Sequence, residues 1–420
     1  MNSTLTNKYK EISDFLRAYR EIWSTEVIYD ADNHFSHYPE EWLNKIDTFS
    51  IEDLFVLNSR SDLIKSLPLS MSNLLSDLTH LSQIPTLLDQ DEWQTLSPQL
   101  CLPPPAMQNL VPKKVHEIET SIAFLRLQKV IPDELPVIDF CGGAAYFGRT
   151  LAYFLDTPSI SLDKDKELQE RGFRRSQNFT PRNCKEIEFI NEDLLADYSN
   201  LKTKIPSQRA FIGMHTCGHL SDIQLRLSRD LNAPWTFNIG CCYFKTDDYQ
   251  YRLSSTANEF PIEYTANSLF LAARGNEVKL NDFIVSFKVK EFRFLLHLFL
   301  NSEFGLPFIP VGSVPMREYK SDFNSYAMGR LENLYKHGTI PHLPDVNLVK
   351  TFSAQSDVTT LTKKMISCNY IRSQFSRILE VSIALDRAIF LEESDFKVSL
   401  GELFNSKISP RNICLFGKRD

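Results

Sequence analysis

The stretch Pro136-Val137-Ile138-Asp139-Phe140-Cys141-Gly142-Gly143-Ala144-Ala145-Tyr146-Phe147-Gly148 limits the fold more than any other part of the chain. A short apolar run ends in the carboxylate of Asp139. Small residues follow, and then apolar side chains at helical spacing: Tyr146, Phe147, Leu151, Phe154 and Leu155. The pattern reads as buried strand, tight loop and helix. Small side chains let the backbone approach a ligand closely, and the helix start offers free N–H groups. A second apolar run, Ser159-Ile160-Ser161-Leu162-Asp163, ends in another acid. It lies about 20 residues beyond the loop, where a β-α-β unit places a carboxylate for a ribose hydroxyl.

Two nucleotide cofactors compete for such a loop. A dinucleotide fingerprint requires G-x-G-x-x-G, but Cys141, Gly143 and Tyr146 occupy those positions. An acid immediately before the loop suits S-adenosylmethionine (SAM) instead. Asp139 would face the cationic end of that cofactor and Asp163 its ribose, with Cys141, Gly142 and Gly143 forming the loop between them. A turn that binds nothing is the alternative.

Further strand–helix alternation follows. A helix is expected over residues 165–177, carrying Arg171, Arg174 and Arg175, which read as a solvated face before they read as phosphate contacts. A third strand over residues 186–190 leads to Asp193, placed for the adenine amino group. A fourth, over residues 210–214, empties into His215-Thr216-Cys217-Gly218-His219-Leu220-Ser221-Asp222. A fifth, over residues 235–239, ends at Gly240-Cys241-Cys242-Tyr243. This alternation predicts a doubly wound parallel sheet with its ligands beyond the C-terminal strand ends.

Neighbouring strand ends lie about 5 Å apart, so His215, Cys217, Cys241, Cys242 and Tyr243 are expected to share one pocket. Three chemistries fit them. Imidazole and thiolates are zinc ligands, but no C-x₂₋₄-C pair anchors a site and no metal is expected. Cys217 or Cys241 could be a nucleophile activated by His215, but no cysteine-hydrolase motif surrounds them. The groups could instead line a methyl-acceptor site, with His215 as the base for an acceptor that carries a proton. Taken singly, each thiol reads as a small packing residue.

Residues 1–110 contain no glycine and read as helical, with Tyr9, Ile12, Phe15, Leu16, Tyr19, Ile22 and Trp23 in one period and Ile64, Leu67, Met71, Leu74, Leu75 and Leu78 in another. Pro98 and Pro103-Pro104-Pro105 close this region, which reads as a cap over the core. The next helix opens at Val111-Pro112. Its first turns crowd Lys113, Lys114, His116 and Glu117, either a solvated helix end or the border of the cofactor pocket; on the second reading His116 joins the cofactor residues. Residues 246–370 leave the alternation and read as a mostly helical insertion. A helix over residues 371–391 and strands near 398–404 and 412–416 complete the core. The expected division is therefore a cap (1–110), a core (111–245 and 371–420) and the insertion, with cap and insertion walling the strand ends and selecting the substrate.

The 420 residues carry a net charge of −7. That excludes a globally basic nucleic-acid binder but not a local basic face. The eight cysteines lack disulfide spacing and suggest a reducing compartment. With no apolar run of about 20 residues and no signal-peptide core, a cytoplasmic protein without membrane attachment is expected.

Several of these stretches resemble one family. Pro112-Lys113-Lys114-Val115-His116-Glu117, residues 137–143, His215-Thr216-Cys217-Gly218-His219-Leu220-Ser221-Asp222, Gly240-Cys241-Cys242-Tyr243, Leu385-Asp386-Arg387, Leu391-Glu392 and Ser409-Pro410-Arg411-Asn412 are similar to the methyltransferase-like protein 25 group. That group shares its SAM-methyltransferase domain with the glutathione S-transferase C-terminal-domain-containing protein. The resemblance covers residues 111–245 and 371–420 and implies an α/β, Rossmann-like methyltransferase fold with SAM as cofactor. A related motif, H-x-C-G with paired cysteines, occurs in tRNA ribose methyltransferases and points the substrate towards RNA (tRNA or rRNA), with protein as the alternative acceptor. A non-catalytic module that keeps the fold is the reading from another class. The commonest methyltransferase loop is D-x-G-x-G-x-G; Cys141 and Ala145 replace its outer glycines.

Overall fold

The computed structural model describes residues 3–30, 35–57, 65–97, 100, 109–130, 135–178, 187–195, 201–250, 252–274, 279–312 and 314–420. The expectations for Ile64, Pro98, the prolines at 103–105 and the first residue of the third strand fall outside them.

Seven strands form one sheet: β1 Val137–Phe140, β2 Ser159–Asp163, β3 Ile187–Asn191, β4 Ala210–Cys217, β5 Trp235–Cys241, β6 Lys397–Glu402 and β7 Ile413–Lys418. Their order is β3-β2-β1-β4-β5-β7-β6. β1 to β5 pair in parallel, and β7 runs antiparallel to both β5 and β6. The sheet is α/β and Rossmann-like, as the alternation and the resemblance predict. The chain leaves β1 towards β2 and β3 on one side and returns to β4 and β5 on the other. The boundary between β1 and β4 is therefore the topological switch point, where doubly wound sheets bind ligands.

Strand side chains alternate between two buried faces. Val137, Ala210, Ile212, Met214 and Phe237 pack with Ile118, Ile122, Phe124 and Leu125 of the helix Pro112–Leu127. Ile138, Phe140, Ile160, Leu162 and Phe211 pack on the other face with Ile223 and Leu227 of the helix His219–Asp230. Two-sided burial explains why these strands read as continuous apolar runs.

β4 and β5 run further than their sequence pattern indicates. Hydrogen-bonded pairing continues through Cys217 and Cys241, so the expected loop residues His215 and Cys217 stand on a strand. A β-bulge between Met214 and Thr216 absorbs one extra residue, and His215 takes a φ of 62° there. The single helix expected over 371–391 is two, Ser356–Ser373 and Ser376–Glu392.

The chain divides into two compact units, residues 1–18, 81–275 and 376–420 in the first and 19–80 and 276–375 in the second. This differs from a cap, core and insertion. The helix Thr4–Ala18 buries Tyr9, Ile12 and Leu16 and packs on the helix Ser376–Glu392, so it belongs with the sheet. Residues 246–275 belong there as well, because the Asp386 carboxylate accepts the Leu253 and Ser254 backbone N–H groups at 3.0 and 2.8 Å. The second unit is helical. Its 25-residue helix Leu280–Phe304 buries Phe292, Leu296, Phe299 and Leu300 with Tyr319, Tyr326 and Leu331. Among the described residues, no helix is long and apolar enough to cross a membrane.

Candidate functional site at the switch point

The loop after β1 turns sharply because Cys141, Gly143 and Ala145 all adopt left-handed conformations, with φ of 59°, 56° and 54°. Only Gly143 does so without cost to a side chain. Gly142 serves a different purpose: a Cβ there would lie 2.6 Å from Ser161 Oγ and 2.7 Å from Asp139 Oδ2. The loop thus closes directly over the acid that precedes it. Gln169, from the helix Lys166–Asn178, fastens the loop from outside, donating from Nε2 to Gly143 O at 2.6 Å and Ser161 Oγ at 3.0 Å.

The two acids occupy different environments. Asp139 is 2% exposed and lies beneath the loop, not open to it. Its Oδ2 accepts the Gly148 N–H at 2.9 Å, satisfying a donor in the first turn of the helix Tyr146–Leu155. Burial raises its pKa to about 7 against the opposing effects of the Gly148 N–H and Lys114. Asp163 sits at the carboxyl end of β2 and is partly exposed. Its Oδ2 accepts from Gly143 N and its Oδ1 from Asp165 N, both at 2.9 Å. A carboxylate has about four acceptor positions, so one on each oxygen remains for a vicinal diol. Asp193, two residues past β3, is exposed, and its carboxylate lies 3.7 Å from Lys164 Nζ.

On the other side of the switch point, His215 is held by a residue that its neighbourhood in sequence does not reveal. His215 Nε2 lies 2.9 Å from Glu117 Oε2, and the Glu117 side chain is 1% exposed. Ser409 Oγ donates to Glu117 Oε1 at 2.7 Å, and Lys113 and Lys114 each approach the carboxylate to 3.7 Å. Burial pushes the Glu117 carboxyl up, but hydrogen bonds from His215 and Ser409 and the Lys114 charge outweigh it and hold it at about 2. Glu117 is therefore ionised, and His215 presents Nδ1 with its ring fixed.

The three thiols expected near His215 do converge. Cys217 and Cys241 Sγ are 3.4 Å apart, and Cys242 completes a group whose ligand atoms all lie within 4.8 Å of one another. A hydrogen bond from the Cys241 thiol, outweighing burial, lowers Cys217 to about 6, and Cys241 is raised in turn. Burial likewise raises Cys141 at the end of β1.

Two predicted residues point elsewhere. Tyr243 is 5% exposed, and its hydroxyl donates to Glu380 Oε1 at 3.3 Å within the core. Burial raises that hydroxyl far above the ordinary tyrosine range. His116 accepts from Asn405 N at Nε2 (3.3 Å) and stands edge-on to Trp93 and Phe404. Sequence reasoning missed Gln169, Ser409 and the role of Glu117, and it missed the pair that fixes the edge beside β5. Arg387 Nε donates to Asp222 Oδ1 at 2.8 Å, and Arg387 Nη2 donates to Gly218 O at 3.1 Å. Gly218 itself must be glycine: its φ is 55°, and a Cβ would fall 2.0 Å from Lys245 O. The tail motifs behind the family resemblance contained this signal, since Ser409, Asp386 and Arg387 all lie in them.

The donor set fits the adenosyl part of SAM. Asp163, at the end of β2, has spare acceptors beside the loop after β1, which carries no bulky side chains. A solved structure of coclaurine N-methyltransferase bound to N-methylheliamine and SAH aligns over 90% of this chain and 98% of its own, at 10% identity and a TM-score of 0.26. Likeness at that level carries nothing across. The family comparison is more direct: residues 113–248 match the model of a methyltransferase domain. That span holds Glu117, the loop after β1, Asp163, His215 and the three thiols, and S-adenosylmethionine is the methyl donor that such a domain implies.

Proposed function

We propose that this chain is an RNA methyltransferase of the methyltransferase-like protein 25 group, transferring the methyl group of SAM to a hydroxyl. The observation that carries this reading is the Glu117–His215 pair at the end of β4. A hydroxyl must lose its proton as it attacks, and a histidine oriented by a buried carboxylate takes that proton. An acceptor without a proton would need no such pair.

Bound SAM supplies a methyl group on a positively charged sulfur. Asp163 takes the ribose hydroxyls, and Gly143 holds the Asp163 carboxylate in place. His215 receives the acceptor proton at Nδ1, while Glu117 fixes the ring and stabilises the imidazolium that forms. Lys113 and Lys164, with side chains 43% and 65% exposed, and the exposed Arg171 and Arg174 supply local positive charge despite the net charge of −7. Such groups contact a phosphate backbone without reading its sequence.

Incubating the protein with methyl-labelled SAM and separated RNA and protein fractions from the host tests the assignment. Label is expected in RNA, in a form stable to base hydrolysis at the methylated ribose. Label confined to protein would establish a protein methyltransferase instead, and no label in either fraction would favour a module without turnover.

A further inference from the structure

The ends of β4 and β5 assemble a group of thiols to which the proposed methyl transfer gives no role as acid or base. We propose that Cys217, Cys241 and Cys242 form a binding site for one thiophilic divalent metal ion of the zinc class, with the fourth coordination position open. The geometry is already close to that of such a site. Zinc–thiolate bonds of about 2.3 Å in a tetrahedron put sulfurs about 3.8 Å apart. The Cys217 and Cys241 sulfurs are 3.4 Å apart, and all three lie within 4.8 Å of one another.

The backbone builds this convergence. Met214 pairs with Ile239, so an unbroken ladder would set Thr216 opposite Cys241. The bulge at His215 inserts one residue and sets Cys217 there instead. Cys242 then takes a left-handed φ of 46°, which returns its thiol to the same group. A non-glycine residue in that conformation is uncommon; of the two irregular positions, His215 lies two residues before Cys217 and Cys242 is in the cluster itself. All three cysteines are free, and Cys217 and Cys242 are partly exposed, so an ion can enter. His215 is not among the residues whose ligand atoms gather here, which are the three cysteines alone among the described residues. Three protein ligands with an open position form the arrangement of catalytic rather than structural zinc sites. It escapes the usual spacing rule because its ligands come from adjacent parallel strands, not from one C-x-x-C knuckle.

The test needs neither SAM nor an acceptor, so its outcome is separate from that of the proposed methyl transfer. Reduced full-length protein, stripped by chelator, is titrated with Co²⁺. Saturation at one equivalent is expected, with sulfur-to-metal charge-transfer absorption and the visible bands of tetrahedral cobalt. Cys242→Ser should lose the tight equivalent. Cys368→Ser, which alters a buried cysteine outside the cluster, should keep it. Circular dichroism checks that both variants are folded. Absence of the thiolate band in the native protein overturns the proposal. So does its persistence in folded Cys242→Ser, or a disulfide joining Cys217 and Cys241 in protein kept under reductant.

Discussion

Replacing His215 by alanine is expected to lower kcat for methyl transfer by about 10²–10⁴-fold, the usual contribution of a positioned general base. Affinity for S-adenosylhomocysteine should stay near the native value. The argument is geometric. His215 stands at the end of β4, beside the switch point, with one ring nitrogen 2.9 Å from a carboxylate that is itself 1% exposed. Its other nitrogen is the group available to an acceptor, whereas the cofactor's ribose is assigned to Asp163 across the crevice. Glu117→Gln should fall between the native enzyme and His215→Ala, since glutamine retains a hydrogen-bonding side chain but supplies no charge for the imidazolium. Single-turnover transfer from labelled SAM measures the effect, with calorimetric titration of S-adenosylhomocysteine as the control. Native turnover in the folded alanine variant would remove His215 from the chemistry.

Replacing Arg387 by methionine should destabilise the protein by about 3–5 kcal/mol, the usual consequence of breaking a buried ion pair from one side. Arg387 is 6% exposed and Asp222 9%. The arginine binds Asp222 Oδ1 and Gly218 O, and its guanidinium lies 5.5 Å from the centre of the Tyr243 ring. It therefore ties the helix Ser376–Glu392 to the residues that follow Cys217. With the arginine gone, the Asp222 carboxylate stays buried with the His219 ring beside it at 3.3 Å and loses its guanidinium partner. The double variant Arg387→Met/Asp222→Leu should recover most of the loss, because removing both charges leaves neither one buried alone. Urea unfolding midpoints of the two single variants and the double variant measure this. Equal losses in Arg387→Met and the double variant would show that packing around the arginine matters and the charge pair does not.

The parallel core was legible because its signals are local. Apolar runs ending in Asp139 and Asp163, with small residues between them, encode strand, turn and strand within a few tens of residues. The thiol cluster was half legible. The cysteines stood out at the ends of two strands expected to be neighbours, but the spacing rule argued against a metal. The bulge at His215, which sets the register between Cys217 and Cys241, leaves no mark in a hydrophobic pattern. The partners of the site were legible only as members of the tail motifs, not as pairs. Ser409 reaches Glu117 across 292 residues and Arg387 reaches Asp222 across 165, and a single sequence records no pairing at such distances. Asp139 shows the reverse problem. An acid before a small-residue loop looks the same whether it faces a ligand or caps the next helix, and only the Gly148 N–H at 2.9 Å separates the two. Tyr243 was placed in the pocket by its neighbours in sequence, but it lies past the end of β5, beyond the left-handed Cys242, and its side chain turns into the core beside Glu380.

The central claim is that the adenosyl group of the methyl donor lies across the carboxyl edge of the sheet, with its ribose on Asp163. Calorimetric titration of S-adenosylhomocysteine into the native protein and the Asp163→Ala variant tests it most directly. Binding at one site per chain is predicted for the native protein, weakened by at least about 10–150-fold in the variant, since each of the two charged hydrogen bonds to the diol is worth about 1.5–3 kcal/mol. No heat from the native protein, or equal affinity in the two, would contradict the account.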